Sequence, residues 1–389
     1  MPVNRGIATM TLDTGKCPRW LFDRMVTLGG QMTDILVAEL GPDEFIRRMG
    51  DPVWFQTLGT VLAFDWNASG LTTILTAAIK EAIRDREHEL GVFVAGGKGK
   101  TSRKTPEQIL TWGERIGLPE SHANGLVHNS KMSAKVDSAL VQDGYQLYHH
   151  AFFFSRSGAW AVVQQGMNTV AGRARRYHWS SDSAKDLIVE PHSGIAAQEI
   201  HPRTLNMTAR KSDKGRQTSL ELVGAGYAPL MKDVRLIREY SSELAQVWGV
   251  AKGQQKMIFA DFAGREFKTH PVLREDFAKS KYLEKILSRL TDLKPGSYEQ
   301  MVATPGVGPK TVRALALVAE VIYGAKSSYE DPARYAFAHG GKDATPYPVD
   351  TATYDRTIGL MAKAVRSSRM ATSDKSKAID RLFSSRTGS

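Results

Sequence analysis

The densest group of residues able to do chemistry lies in the segment 131–150 of this 389-residue chain. Lys135, Asp137 and Asp143 fall on or just past one predicted helix, and His149 and His150 lie on the strand that follows. Carboxylates with a histidine and a lysine could hold Mg²⁺ or Mn²⁺ and activate water for phosphodiester cleavage, with Asp137 and Asp143 as the metal ligands. Two constraints limit that reading. Neighbours on a strand point to opposite faces, so only one of the two histidines can serve a given site. Two carboxylates six positions apart on one continuous helix would not share a face. The same residues read equally well as a solvated helix followed by a core hairpin with one hydrogen-bonded histidine. The pair Gln164-Gln165 on the next strand could read a base edge or satisfy backbone groups.

A second group lies in 304-TPGVGPKTVRALALVAEVIYG-324. The flanks predict two helices, a short one over SYEQMVA with Ser297 as cap and a longer one from Pro309 to a stop at Gly324. Glycines between them are expected to take dihedrals closed to other residues. Proline suits the first helical turn, where a missing N–H costs nothing. The result is a helix start with free backbone N–H groups, which attracts a phosphate. Gly306, Val307, Gly308, Lys310, Thr311 and Arg313 form this corner. It is similar to the helix-hairpin-helix motif, which grips a DNA backbone phosphate without reading bases. An ordinary packing hairpin is the plainer alternative.

The hairpin also resembles that of DNA glycosylases of the helix-hairpin-helix type. There Lys310 would match a lysine that forms a Schiff base with the sugar, and Asp350 in 349-VDT-351 an aspartate that stabilises the developing cation. The gap between the two is about twice the usual one. Lys310 as a phosphate clamp and Asp350 as a helix cap is the competing assignment.

The stretch 92-VFVAGGKGKTSRKTP-106 runs a short strand into a glycine-rich basic loop. It is not a Walker P-loop, because Val94 stands where the first glycine is required. Lys98, Lys100, Arg103 and Lys104 nevertheless sit in a segment without an acid, and a flexible basic loop can wrap a phosphate backbone. ARRYHW (174–179) and PRTLNMTARKSDKGR (202–216) are weaker patches of the same kind, and Tyr177 and Trp179 could stack on bases. A loop at 337-FAHGGKD-343 could add a phosphate contact.

The elements that must position these groups follow from periodicity. Residues 18–90 are predicted helical, with Leu21, Met25, Leu28, Met32, Ile35 and Leu36 recurring at three- and four-residue steps. Helices are predicted near 105–118 and 130–144, and YQLYHHAFFF and AWAVVQQG around SRSG predict a β-hairpin. DLIVE and SLELVGA are short strand candidates, and 230–325 is again helical. The expected fold class is mixed α/β (α+β), predominantly helical. A helical region (1–91) would precede an α+β region (92–228), a helical helix-hairpin-helix region (229–366) and a basic tail (367–389).

The balance of 52 Lys+Arg against 41 Asp+Glu gives +11, which favours polyanions, nucleic acid first. With Cys17 the only cysteine, an internal disulfide and a Cys-rich zinc site are excluded. No apolar run suggests a membrane span, and the start lacks the apolar core of a secretory signal, so a cytoplasmic protein is expected. As a whole the chain resembles a prokaryotic family catalogued as domain of unknown function 763. VFVAGGKGKTSRKTP, SKMSAKVDSALVQDGYQLYHH, WAVVQQGMN, ARRYHW, GVGPKTVRALALVAE and DPARYAFAHGGKD carry the likeness. The resemblance implies a DNA-associated protein ending in a helix-hairpin-helix. The expected function is DNA binding and processing by a metal-dependent nuclease or DNA-repair enzyme. A glycosylase-lyase and a non-enzymatic nucleic-acid binder are the alternatives.

Overall fold

The computed structural model describes residues 10, 12, 17–63, 68–198, 200–201, 203–241, 280–333, 335–336, 351–369 and 371–384. Five helices come first: α1 (Arg19–Leu40), α2 (Pro42–Met49), α3 (Pro52–Ala63), α4 (Ala68–Ala82) and α5 (Glu87–Leu90). Breakers set their limits. Gly41 ends α1 at a φ of 78°, and Asp51 opens α3 by accepting from the amides of Val53 (2.7 Å) and Trp54 (2.9 Å). The predicted stripe of α1 is buried at five of its six positions, and Ile35 is half-buried.

The chain then enters β1 (Val92–Lys98), a 3₁₀ turn (Gly99–Lys104), α6 (Thr105–Arg115), α7 (Glu120–Ala139) and β2 (Val141–Gln142). A meander follows in β3 (Gln146–Ser155), β4 (Trp160–Asn168), β5 (Arg173–Ser180) and β6 (His192–Ala197). Next come β7 (Leu205–Asn206), α8 (Asp213–Gly224), α9 (Tyr227–Ser241), α10 (Lys281–Leu293), α11 (Tyr298–Ala303) and α12 (Pro309–Tyr323). The described elements end with β8 (Tyr335–Ala336), α13 (Thr351–Ser367) and α14 (Thr372–Ser384). The fold is therefore α+β and predominantly helical.

One sheet organises it, in the order β1-β3-β4-β5-β6-β8. All its ladders are antiparallel except β6 with β8. A separate two-stranded ladder joins β2 to β7. The pleat sends alternate residues to two cores. Phe93, Phe152, Phe154, Val162 and Trp179 pack with α6 to α12, while Val94, Phe153, Ala161 and Val163 pack with α1 to α4, α13 and α14. Both faces are covered, so the strands read as nearly continuous apolar runs.

The predicted hairpin is thus the centre of a larger sheet, and three expectations need correction. ARRYHW is strand β5 and not a surface patch: Arg175, Arg176, Tyr177 and Trp179 are all fully buried. Tyr177 and Trp179 are therefore unable to stack on bases. SLELVGA lies on α8, where its apolar residues fit a helical period, and DLIVE forms no strand. Helix α7 runs from 120 to 139, starting after Pro119, rather than over 130–144.

Burying arginine in a central strand requires compensation. Arg175 donates to Asp143 at 2.9 Å and to both oxygens of Asp331 at 2.9 and 2.6 Å. Asp143 also accepts from the Tyr177 hydroxyl at 2.6 Å, and Asp331 accepts from the amides of His201 and Ala333. Burial alone would depress the Arg175 guanidinium, but the two carboxylates outweigh it and hold it above its ordinary value. This group ties β5 to the turn before β3 and to the segment ahead of β8. Arg175→Leu strands two buried carboxylates and is expected to destabilise the protein by about 3–5 kcal/mol in urea denaturation.

Candidate phosphate-binding corner and the polar rows of the sheet

Helix α11 starts at Ser297, whose hydroxyl accepts from the Gln300 amide at 3.2 Å. The chain turns through 304–308 into α12. Val307 is buried and anchors the turn, while Pro305, Pro309 and Lys310 are exposed. The two glycines are not equivalent. Gly306 has a φ of 96°, and a Cβ there would collide with Ile286 of α10. Gly308 is extended (φ −148°, ψ −169°), and a Cβ there would meet nothing within 4 Å. The expectation that both need special dihedrals therefore holds for Gly306 alone.

The carbonyls of the turn are spoken for by donors from the body. Lys135 donates to the Thr304 carbonyl at 2.7 Å and Gln142 to the Pro309 carbonyl at 3.0 Å. Arg289 and Tyr282 reach the carbonyls of Pro305 and Gly306, each at 3.4 Å. Arg313 donates to Gln142 at 2.5 Å, and Thr311 is buried. The amides of Gly308 and Lys310 meet no acceptor among the described residues. With these oxygens bonded and N–H groups left over, the corner is polarised to favour an anion.

Lys98, Lys100, Arg103 and Lys104 are all exposed, and none forms an ion pair among the described residues. Lys98 ends β1, and the other three lie in the 3₁₀ turn Gly99–Lys104. Gly96 (φ 86°) precedes the turn on β1, at a point where a Cβ would strike the His150 carbonyl. Gln108 accepts from the Gly96 amide at 2.8 Å and Lys80 donates to its carbonyl at 2.9 Å, while Ser102 closes the turn on Gly99 at 2.6 Å.

The expected catalytic residues are divided between the two sheet faces and α7. Lys135 is the clamp of the hairpin turn, and burial lowers its pKa. His150 lies on the α7 face, where it pairs with Ser130 (2.9 Å) and Gln164 (2.8 Å). Gln164 donates on to Asp137 at 2.5 Å. Asp137 further accepts from Trp179 (3.0 Å) and contacts His192 (2.5 Å). Asp143 belongs to the Arg175 group. The two carboxylates are each saturated by different protein groups, which does not fit a shared metal. Among the described residues no three His, Cys, Asp or Glu side chains are grouped to hold one. His149 lies on the opposite face, under α4. Asp350 and the loop 337–343 lie outside the described residues.

His192 carries no pattern around it in the sequence. Arg175 and Arg176 stand out in the sequence as a basic patch, and the aromatic strand-forming hexapeptide around them is the signal that they are buried. Gln165 stands out too, but its neighbours do not.

The molecule is, at this level, a helix-rich α+β protein with one sheet held between helical layers and a helix–turn–helix corner braced by α7. It belongs to the family described as Protein of unknown function (DUF763), whose model matches residues 6–349. No curated protein and no solved structure matches the chain. Among the described residues no helix is long and apolar enough to cross a membrane.

Gly306→Ala is expected to destabilise the fold by about 1–3 kcal/mol, through positive φ and the clash with Ile286, whereas Gly308→Ala should leave stability within about 0.5 kcal/mol. Thermal denaturation of the two variants checks this.

Three buried histidines make a second expectation. Burial, with smaller pushes from His150 and Lys98, lowers His149 to about 3. His150 is lowered by burial, and His178 is held well below its ordinary value by burial and Arg176. The unfolded chain binds a proton at each near pH 6.5, while the folded protein does not. Stability therefore falls as pH drops below that value, by up to about 1.4 kcal/mol per pH unit for His149, and His150 and His178 act in the same direction. Urea titrations at pH 7 and pH 5 measure it.

Proposed function

We propose that this protein binds DNA by its phosphate backbone, with the corner at 304–310 and the basic turn Gly99–Lys104 as the two gripping elements. The observation that carries the reading is the polarity of the corner. The carbonyls of Thr304, Pro305, Gly306 and Pro309 each accept from a side chain outside the turn, while Lys310 is exposed and the amides of Gly308 and Lys310 meet no acceptor among the described residues. A packing hairpin has no need of that arrangement. The +11 net charge and the unpaired cations of the basic turn support the same partner. Grip of this kind is independent of sequence.

The metal-nuclease form of the reading loses Asp137 and Asp143, whose oxygens are bonded within the protein. The lyase form asks Lys310 to attack a sugar from an exposed helix start, with Asp350 as its partner.

Duplex and single-stranded oligonucleotides titrated by fluorescence anisotropy over a salt series test the grip. Wild-type affinity should fall steeply with salt. Lys310→Ala should weaken binding on every sequence and reduce the logarithmic salt slope by about 0.9 on duplex DNA. The quadruple change of Lys98, Lys100, Arg103 and Lys104 to alanine should reduce it further. A wild-type protein without affinity at low salt, or one whose binding survives both sets unchanged, overturns the reading.

A further inference from the structure

The sheet face beneath α4 carries a row of polar side chains in register. Lys98 of β1 is the Cα partner of His149, His149 of Gln165, and Gln165 of Arg176. Directly paired residues on adjacent strands point to the same side, about 5 Å apart. His149, Gln165 and Arg176 are buried, and His178 follows on the same face two residues along β5. Helix α4 roofs the row. The Ser69 carbonyl accepts from Gln165 at 2.8 Å, Thr72 from Arg176 at 3.3 Å, and Thr76 meets His149 at 3.1 Å.

Each buried member keeps a polar atom without a partner: His149 Nδ1, Gln165 Oε1, Arg176 Nε and His178 Nε2. Buried polar atoms are rarely left so, and four in one neighbourhood call for a ligand or ordered water. Their chemistry specifies it. Thr76 donates its hydroxyl proton to the Thr72 carbonyl at 2.9 Å, so the contact with His149 takes the imidazole N–H at Nε2. Nδ1 is then an acceptor, as is Gln165 Oε1. His178 meets the Met49 carbonyl through Nδ1 at 3.3 Å, which leaves Nε2 an acceptor too. Arg176 is a donor and a full charge. Its terminal nitrogens bond only the neutral Thr72 and Gln56, at 3.3 and 3.0 Å, and its guanidinium lies 4.8 Å from the Phe55 ring. No carboxylate pairs with it among the described residues. Arg175, next in sequence, has two. Burial without such a partner lowers Arg176 to about 9.

We propose that the row His149–Gln165–Arg176 binds a phosphate group. Arg176 takes the charge, and His149 and Gln165 accept from a protonated oxygen of that group or from its accompanying water. Gln56, bonded to Arg176, is only half-buried, so solvent lies one side chain from the guanidinium. Lys98 continues the row to the surface, and its ammonium lies 6.0 Å from the ring of Tyr148, whose hydroxyl accepts from Gln165 at 2.6 Å. The site rests on the sheet alone and stands whether or not the corner at 304–310 grips DNA.

The test uses the full chain, with inorganic phosphate followed by calorimetry and by melting temperature against chloride of equal ionic strength. Wild type should bind and melt higher with phosphate. Arg176→Met removes the charge at similar volume, and Gln56→Glu supplies the missing carboxylate. Each should weaken phosphate at least about tenfold. Without phosphate each should melt at or above wild type, because an uncompensated buried charge has been removed or paired. An arginine serving only to hold α3 and α4 would instead lower the melting temperature of the Met variant and leave Gln56→Glu binding intact. An oligonucleotide with a 5′-phosphate, compared with its 5′-hydroxyl form, separates a nucleic-acid end from free phosphate as the source. Lys310→Ala should leave phosphate affinity unchanged. Wild type unmoved by phosphate and by the 5′-phosphorylated strand overturns the proposal, as does unaltered affinity in both variants. Should either variant fail to fold, the wild-type titration and the other variant decide.

Discussion

Two adjacent arginines in the middle of a sheet set the problem the fold has to solve. A strand sends neighbouring side chains to opposite faces, so β5 delivers one guanidinium into each helical layer. A buried cation is tolerable only with compensation. On the α7 face Arg175 is met by Asp143 and Asp331, drawn from segments far apart in sequence. On the α4 face Arg176 meets hydroxyl, amide and aromatic groups and, among the described residues, no carboxylate. The first arrangement pairs the charge within the protein and holds the turn before β3 and the segment before β8 in place. The second leaves the charge without a carboxylate partner among the described residues, so two chemically identical neighbours sit in unlike surroundings.

Much of the fold was legible in the sequence. The α1 stripe, the β3–β4 hairpin and the two helices around 304–308 follow from periodicity and breakers, because those signals are local. The sheet's extent was not legible. β5 looks basic, and its burial depends on carboxylates that lie 32 and 156 positions away, which no window reveals. SLELVGA shows the reverse failure: a short apolar run suits strand or helix equally, and tertiary packing decided for α8. At the corner the sequence indicated the exposed lysine but not the unequal glycines. Gly306 is demanded by Ile286, on a helix whose angle to the turn cannot be inferred locally.

The polar residues singled out between 135 and 150 are real features with other duties. Asp137 gathers Gln164, Trp179 and His192 beneath the sheet, while Lys135, two residues earlier on α7, holds the hairpin turn. Residue types suggested one reaction centre, but helix and strand geometry distribute them among a clamp, a buried carboxylate network and a separate row under α4. Only His149 remains among groups whose hydrogen bonding is unfinished.

That short spacing on α7 has a mechanical consequence. The helix is anchored by Asp137 to the strands and by Lys135 to the corner, and the corner is wedged from its other side by Ile286 of α10. A polymer pulled across Lys310 would load a strut fixed at its footing instead of a hinge, so tension on a bound strand would travel into the sheet with little slack.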